Sequence, residues 1–167
     1  PRHSSSAASD VYKRQVDVST SSRATIGGMS ANNSCGSRSL YYGNMVHNVL
    51  AIEAILDDGS IFNFDQINKN YLATKNNQDR LYKIIDKFID VRQQVGSEID
   101  ANWPTTQRRV GGYNIDLIDP EGFNSSNLLV GSEGTLSLFN KIKLKLSEIP
   151  KNKICLLYTS PSPRDRV

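Results

Sequence analysis

A chain of 167 residues with 38% hydrophobic content and a mean hydropathy of -0.44 is sized for one soluble domain and too short for a complete multidomain enzyme. Its formal charge of +3 sits entirely at the two ends, where Arg2, Lys13, Arg14, Arg164 and Arg166 oppose only Asp10 and Asp165. The interior is therefore charge-balanced and gives no support for a nucleic-acid or anionic-membrane partner, and its single cysteine, Cys35, excludes an internal disulfide or thiolate metal cluster.

No stretch has the continuous apolar length needed to cross a bilayer; runs such as Val49-Leu50-Ala51-Ile52 are strand-sized. From Val16 to Arg23 serine and threonine dominate, and their hydroxyls compete with the backbone for hydrogen bonds, so this is a loop. Ala24 to Ser39 combines Gly27-Gly28, Asn32-Asn33 and Gly36 with small residues, a composition that lets a ligand come close to the backbone; a short helix is expected to start near Gly28. Val49 to Leu56 reads as a buried strand, Asp57-Asp58-Gly59-Ser60 as a tight turn, and Ile61 to Phe64 as the return strand.

Between Asn77 and Val95 the apolar residues Leu81, Ile84, Ile85, Phe88, Ile89, Val91 and Val95 recur at spacings of three and four, which predicts an amphipathic helix. Asn102-Trp103-Pro104-Thr105 interrupts the helical pattern, because proline lacks a donor and disfavours helix in the residue before it. Two glycine-containing segments follow, Arg108 to Tyr113 and Asn127 to Leu136. Phe139 to Leu146 then alternates apolar residues with Lys141, Lys143 and Lys145, a strand with one wet face. The order of loop, hairpin, helix and strand predicts an α+β fold, with a mixed or antiparallel sheet and flanking helices.

The segment Ala24-Thr25-Ile26-Gly27-Gly28-Met29-Ser30-Ala31-Asn32-Asn33-Ser34-Cys35-Gly36-Ser37-Arg38 offers glycine N–H groups and Thr, Asn and Ser side chains, all suited to phosphate oxygens, ribose or a heterocycle edge. On composition alone an ordinary glycine turn explains the same residues. Cys35 among small neighbours reads as a packed side chain, and His47, with no partnering carboxylate, as a surface loop residue rather than a base. Arg108-Arg109 has the planar fork that clamps carboxylates, although an ion-paired or solvated role is favoured for such a pair. No catalytic residue and no metal ligand is assigned.

Taken with Tyr42-Gly43 and the strand after it, the Ala24 to Arg38 segment resembles the second flavin-contacting motif of the FAD-linked oxidases that share the vanillyl-alcohol-oxidase, or PCMH-type, FAD-binding domain. Arg109-Val110-Gly111-Gly112-Tyr113-Asn114-Ile115-Asp116 is similar to that family's glycine–tyrosine segment, and Gly131-Ser132-Glu133-Gly134-Thr135-Leu136 to its Gly-Ser-Glu-Gly-Thr-Leu motif. The wording Asn32-Asn33-Ser34-Cys35-Gly36-Ser37-Arg38 resembles the large bacterial D-2-hydroxyacid dehydrogenases, whose FAD domain is joined to an iron–sulfur module. Carried over residue by residue, the resemblance implies FAD contacts from Thr25, Ile26, Gly27, Gly28, Asn32, Asn33, Cys35 and Gly36, and from Glu133, Gly134 and Thr135. Ser137 stands where the family has glycine or another small residue, a mild departure.

The resemblance thus implies a part of a flavoenzyme that oxidises a D-2-hydroxyacid to a 2-oxoacid and passes electrons to an acceptor or iron–sulfur module. Such a parent is cytoplasmic, or peripheral at the inner membrane. The alternatives are another enzyme of the same fold, such as a UDP-N-acetylenolpyruvoylglucosamine reductase or an alcohol oxidase, or a non-catalytic α+β binding module.

The ends read differently. Ser5 to Gln15 resembles the in-frame translation of a sequencing adapter, and Cys155 to Asp165 the translated reverse complement of its shared end, so residues 1–15 and 155–167 are expected to be non-native tails around a partial FAD-binding domain at 16–154. In the family an upstream phosphate loop completes the cradle. The chain alone is therefore expected to be inactive, to hold FAD weakly, and to leave Ile52, Leu56 and Ile142 without full burial.

Overall fold

The segment expected as a buried strand from Val49 is the central strand of a three-stranded antiparallel sheet, buried on one face only, since Leu50 on the other is exposed. A computed structural model describes residues 12–13, 16, 18–20, 22–73, 79–106 and 108–148. In the larger of two compact units, residues 14–146, strand β2 (Val49–Ile55) lies between β3 (Ile61–Phe64) and β6 (Leu138–Leu144). The register places Ile52 opposite Phe64 and Ile142, and Ala54 opposite Phe62 and Phe139, so these residues share one face. Ile52, Ala54 and Phe64 are buried there, whereas Glu53, Asn63 and Lys141 line up on the other face. The hairpin turn is closed by Leu56 N–H donating to Ser60 O (2.9 Å) and by Asp58 Oδ1 accepting from Ser60 N (3.0 Å).

After the short helix α3 (Lys69–Ala73), helix α4 (Arg80–Gln94) supplies the other side of the core. Asp79 caps it by accepting from Leu81 N at 2.9 Å, meeting one of the N–H groups a helix start leaves unpaired. Its stripe Leu81, Ile85 and Ile89 joins Ile52, Phe64, Leu128 and Val130 in a single buried cluster. Burying each such side chain contributes about 1.5–3 kcal/mol, and truncating Ile85, fully buried, to alanine is expected to cost about 2–5 kcal/mol. The short helix α5 (Gly96–Asn102) ends where Trp103, preceding Pro104, turns extended at ψ 132°.

Loops are fastened by asparagine amides, which carry both a donor and acceptors and so stand in for missing ladder partners. Asn48 Nδ2 donates to Asn44 O (2.8 Å) and Tyr42 O (3.0 Å), Asn44 Nδ2 to Arg109 O (2.9 Å), and Asn124 Nδ2 to Val49 O (3.0 Å). Asn124 closes a two-stranded antiparallel pair of β4 (Gln66–Asn68) with β5 (Gly122–Asn124). The smaller unit, residues 1–13 and 147–167, is described only at β1 (Tyr12–Lys13) and β7 (Ser147–Glu148), which pair antiparallel.

The α+β architecture is as expected, and every strand pair among the described residues is antiparallel. Several details differ from the sequence reading. Ile52 is 0% exposed, because β3, β6 and the α4 cluster already enclose it, while Leu56 and Ile142 are half-buried. Val91 fits the helical spacing yet is exposed, since the stripe that meets the sheet is narrower than the periodicity allows. The long helix begins at Arg80; its expected start at Asn77 lies outside the described residues, as do most of both tails.

Candidate cofactor site

Helix α1 (Ile26–Ala31) begins two residues earlier than expected because Thr25, in extended conformation, caps it: Thr25 Oγ1 accepts from Gly28 N at 3.1 Å. The helix carries Gly27 and Gly28 at its outer end, while Met29 and Ser30 are buried beneath them. Two backbone bonds then join its far end to a distant segment: Gly131 N–H donates to Ser30 O (3.0 Å) and Glu133 N–H to Ala31 O (2.9 Å). Residues about a hundred positions apart in sequence are thereby brought together, and Asn32 Nδ2 lies 3.5 Å from Glu133 Oε1.

The result is an open cleft of about 200 Å³ between α1 and the lead-in to β6, walled by Gly27, Gly28, Ala31, Gly134, Ser137, Leu138 and Phe139. Gly27 is helical, and among the described residues a Cβ there would meet no atom within 4 Å. No internal packing demands glycine at that position, although glycine in a helix costs roughly 0.5–1 kcal/mol relative to alanine. Gly134, at φ 81°, also faces open space, and Ser137 Oγ is buried without a partner among the described residues. Ser137 adopts an ordinary backbone conformation, so its replacement of a smaller residue introduces no strain.

The third motif flanks this cleft. Thr135 Oγ1 donates to Ser132 O (2.6 Å), which uses its only proton, so the 2.9 Å contact with Tyr113 has the phenol as donor. Among the described residues, Asn33 and Glu133 are the two non-glycine residues with left-handed backbone, at φ 50° and 51°, a conformation that costs energy outside glycine and clusters where ligands are held.

Of the residues implicated by sequence, Gly27, Gly28 and Gly134 line the cleft; Thr25 and Ile26 adjoin the first two at the start of α1, Glu133 and Thr135 flank Gly134 in the chain, and Asn32 Nδ2 lies near Glu133, none of these five being a lining residue. Cys35 and Gly36 lie on the loop leading to α2 (Ser39–Tyr42), where Gly36 N–H is committed to Ser39 Oγ at 2.9 Å; neither lines the cleft. Asn33 is turned inward and buried. Ala31, Leu138 and Phe139 were not singled out by sequence; their small or apolar character carries no chemical signal, and only the folded register brings them to the cleft.

His47 ends a turn of 3-10 helix, and its Nδ1 accepts from Asn44 N at 3.0 Å, a capping role. Arg109 is ion-paired with Asp116 through Nη2 at 2.6 and 2.7 Å and stacks 4.8 Å over Trp103. Among the described residues no cluster of His, Cys, Asp and Glu could hold a metal ion, and no helix is long and apolar enough to cross a membrane.

Residues 5–65 match the family described as FAD binding domain, a match that begins inside the N-terminal segment read as adapter-like. The chain is similar to D-2-hydroxyglutarate dehydrogenase of Haemophilus influenzae, 30% identical over 81% of this chain and 14% of the relative, and to that of Escherichia coli strain K12, 32% identical with the same coverage. It is also 29% identical to D-lactate dehydrogenase of Archaeoglobus fulgidus over 85% of this chain and 21% of the relative. The chain therefore spans about one seventh of the length of the first curated relatives it matches, 14%.

With glycine faces opening on a cleft built by two joined motifs, the chain carries part of an FAD-binding domain of the kind found in the FAD-linked oxidase family. Within that family it stands close to the D-2-hydroxyacid dehydrogenases. The residues present fit such a cofactor: the empty space over Gly27 and Gly134 admits close approach, and the orphaned Ser137 hydroxyl can meet a polar atom.

Proposed function

We propose that the protein to which this chain belongs is a flavin-dependent dehydrogenase that oxidises a D-2-hydroxyacid to the 2-oxoacid, and that the cleft between α1 and β6 is one half of its FAD cradle. The observation that carries this is the open space over Gly27, a helical glycine that no contact among the described residues requires. When bound, FAD supplies hydride-accepting redox chemistry. This chain's share is to bind and orient it. Thr25, Ile26, Gly27 and Gly28 approach it from the start of α1, and Glu133, Gly134 and Thr135 from the facing turn; Gly27, Gly28 and Gly134 line the cleft and support this reading.

Asn32, bridging the rims, contacts the cofactor from the side. Cys35 and Gly36 contribute through the loop that continues from Asn32, with the Gly36 amide already engaged. The substrate domain, the upstream phosphate loop and an electron acceptor or iron–sulfur module belong to the remainder of a longer, cytoplasmic or peripherally membrane-bound protein. Residues 1–15 and 155–167 are non-native.

The test is to purify the longer protein that carries residues 16–154 and record its visible spectrum before and after anaerobic addition of D-2-hydroxyglutarate or D-lactate, with the L-enantiomers as controls. A flavin spectrum bleached by a D-enantiomer alone is expected. Absence of flavin, or bleaching by neither substrate, would overturn the reading.

A further inference from the structure

The buried polar groups beneath the cleft assign a second role. Asn33, in its left-handed conformation, turns its side chain away from solvent and is 1% exposed. Its Oδ1 accepts from Val46 N at 3.0 Å, and its Nδ2 lies 3.5 Å from Asn114 Oδ1. Asn114, also 1% exposed, donates through Nδ2 to Val130 O at 2.7 Å and to Asn127 O at 3.2 Å. Both amides thus point into protein from opposite sides of one seam.

That seam joins three stretches of chain. Asn33 belongs to the segment after α1, Asn114 follows Gly111-Gly112-Tyr113, and Val130 opens the turn that carries Glu133 and Gly134. Directly above, Gly131 has φ 85°, and a Cβ there would stand 3.1 Å from Gly112 O and 3.3 Å from Asn33 Cβ, so the three backbones meet with no room to spare. Backbone bonds from Gly131 to Ser30, itself buried, and from Glu133 to Ala31 join the two rims above this seam. The buried amides fix the same spacing from below, where leaving any of these groups unpaired is costly.

We infer that Asn33 and Asn114 are positioning residues of the FAD cradle, setting the distance between the Gly27–Gly28 rim and the Glu133–Thr135 rim, and that Asn33 does not itself touch the cofactor. The inference rests on the FAD reading above. It separates Asn33 from its neighbour Asn32, although the sequence presents them as one Asn-Asn pair.

The experiment uses the longer protein, stripped of flavin and titrated with FAD by fluorescence quenching, with the visible circular dichroism of the bound flavin as second readout. Asn33→Gly suits a left-handed backbone while deleting the amide. Asn114→Ala deletes the other partner, and Ile85→Val loosens the core away from the cleft. Each asparagine variant is expected to weaken FAD binding about tenfold, as loss of a buried hydrogen-bond partner implies, and to alter the flavin dichroism in the same way. The double variant is expected to bind no worse than the weaker single one, because both act through one seam. Ile85→Val is expected to leave affinity and dichroism unchanged.

Additive losses in the double variant would mean that Asn33 contacts FAD directly and would overturn the inference, as would wild-type affinity and dichroism in either folded variant. If Asn114→Ala does not fold, Asn33→Gly decides alone by the same two readouts. Failure of the FAD reading itself is distinguishable, since the unmutated protein would then take up no flavin.

Discussion

Arg109 and Asp116 form an ion pair in which one guanidinium nitrogen lies 2.6 and 2.7 Å from both carboxylate oxygens, with side chains only 19% and 20% exposed. The Trp103 ring covers the cation at 4.8 Å, so water screens the pair weakly. Asp116→Asn leaves a partly buried cation without its counter-charge. The variant is expected to lose about 1–3 kcal/mol of stability, more than an exposed pair contributes. Urea unfolding of both proteins reads this directly, and a change below about 0.5 kcal/mol would show the pair to behave as a surface one.

Gly27→Ala separates folding from cofactor binding. The helix gains roughly 0.5–1 kcal/mol from the better helix former, and no neighbour obstructs the new methyl group. The same methyl group occupies the space above the cleft, so FAD affinity in the longer protein is expected to fall while the unfolding midpoint rises. If both quantities rise or stay level, the cofactor does not approach Gly27.

Gly131→Ala is expected to act in the opposite sense on the fold. At φ 85° a side chain is strained, at roughly 1–2 kcal/mol. The new Cβ also presses on Gly112 O at 3.1 Å, a backbone atom that cannot swing away. A combined loss of about 2–4 kcal/mol in denaturant unfolding is anticipated. A near-neutral result would mean that the three backbones at this seam separate readily.

The pairing of Glu53 on β2 with Lys141 on β6 predicts a pH dependence. Lys141, and after it Asn140, hydrogen-bond the carboxylate and hold its pKa below the ordinary value. A carboxyl whose folded pKa is depressed adds stability above its unfolded pKa and loses it as pH falls through the folded value. The stability difference between wild type and Glu53→Gln should therefore be greatest near neutrality and vanish in acid. It should also be small and salt-sensitive, because the lysine is exposed. A difference that grows on acidification would contradict the assignment.

Removal of residues 1–15 and 155–167 is expected to leave the unfolding midpoint of the remainder unchanged. Among the described residues the core cluster draws on none before Val16 or after Leu144, and the only described structure in the tails' unit is the two-residue pairing of β1 with β7. A clear drop on trimming would show that the ends contribute to the fold.

Periodicity made the hairpin and helix α4 legible, since a strand buried on one face and a helix with one apolar stripe write their packing into the order of residues. It could not show that Val91 falls outside the contact, because the width of the covering sheet is a property of the fold. The glycine motifs were legible as segments, and resemblance brought them to one cofactor. What stayed hidden was the direction of each side chain. Asn32 and Asn33 are identical in type and adjacent, yet a left-handed turn at Asn33 sends one outward to Glu133 and the other inward to Asn114.

The sheet's two outer strands are unlike in a way that bears on handling the protein. Strand β6 carries Lys141 and Lys143, whose charges repel an incoming copy, while β3 presents Ile61, 57% exposed, with no lysine beside it. Concentrated solutions should accordingly self-associate in one direction, rim β3 against rim β3, and a lysine introduced at position 61 would raise the solubility ceiling without touching the cleft.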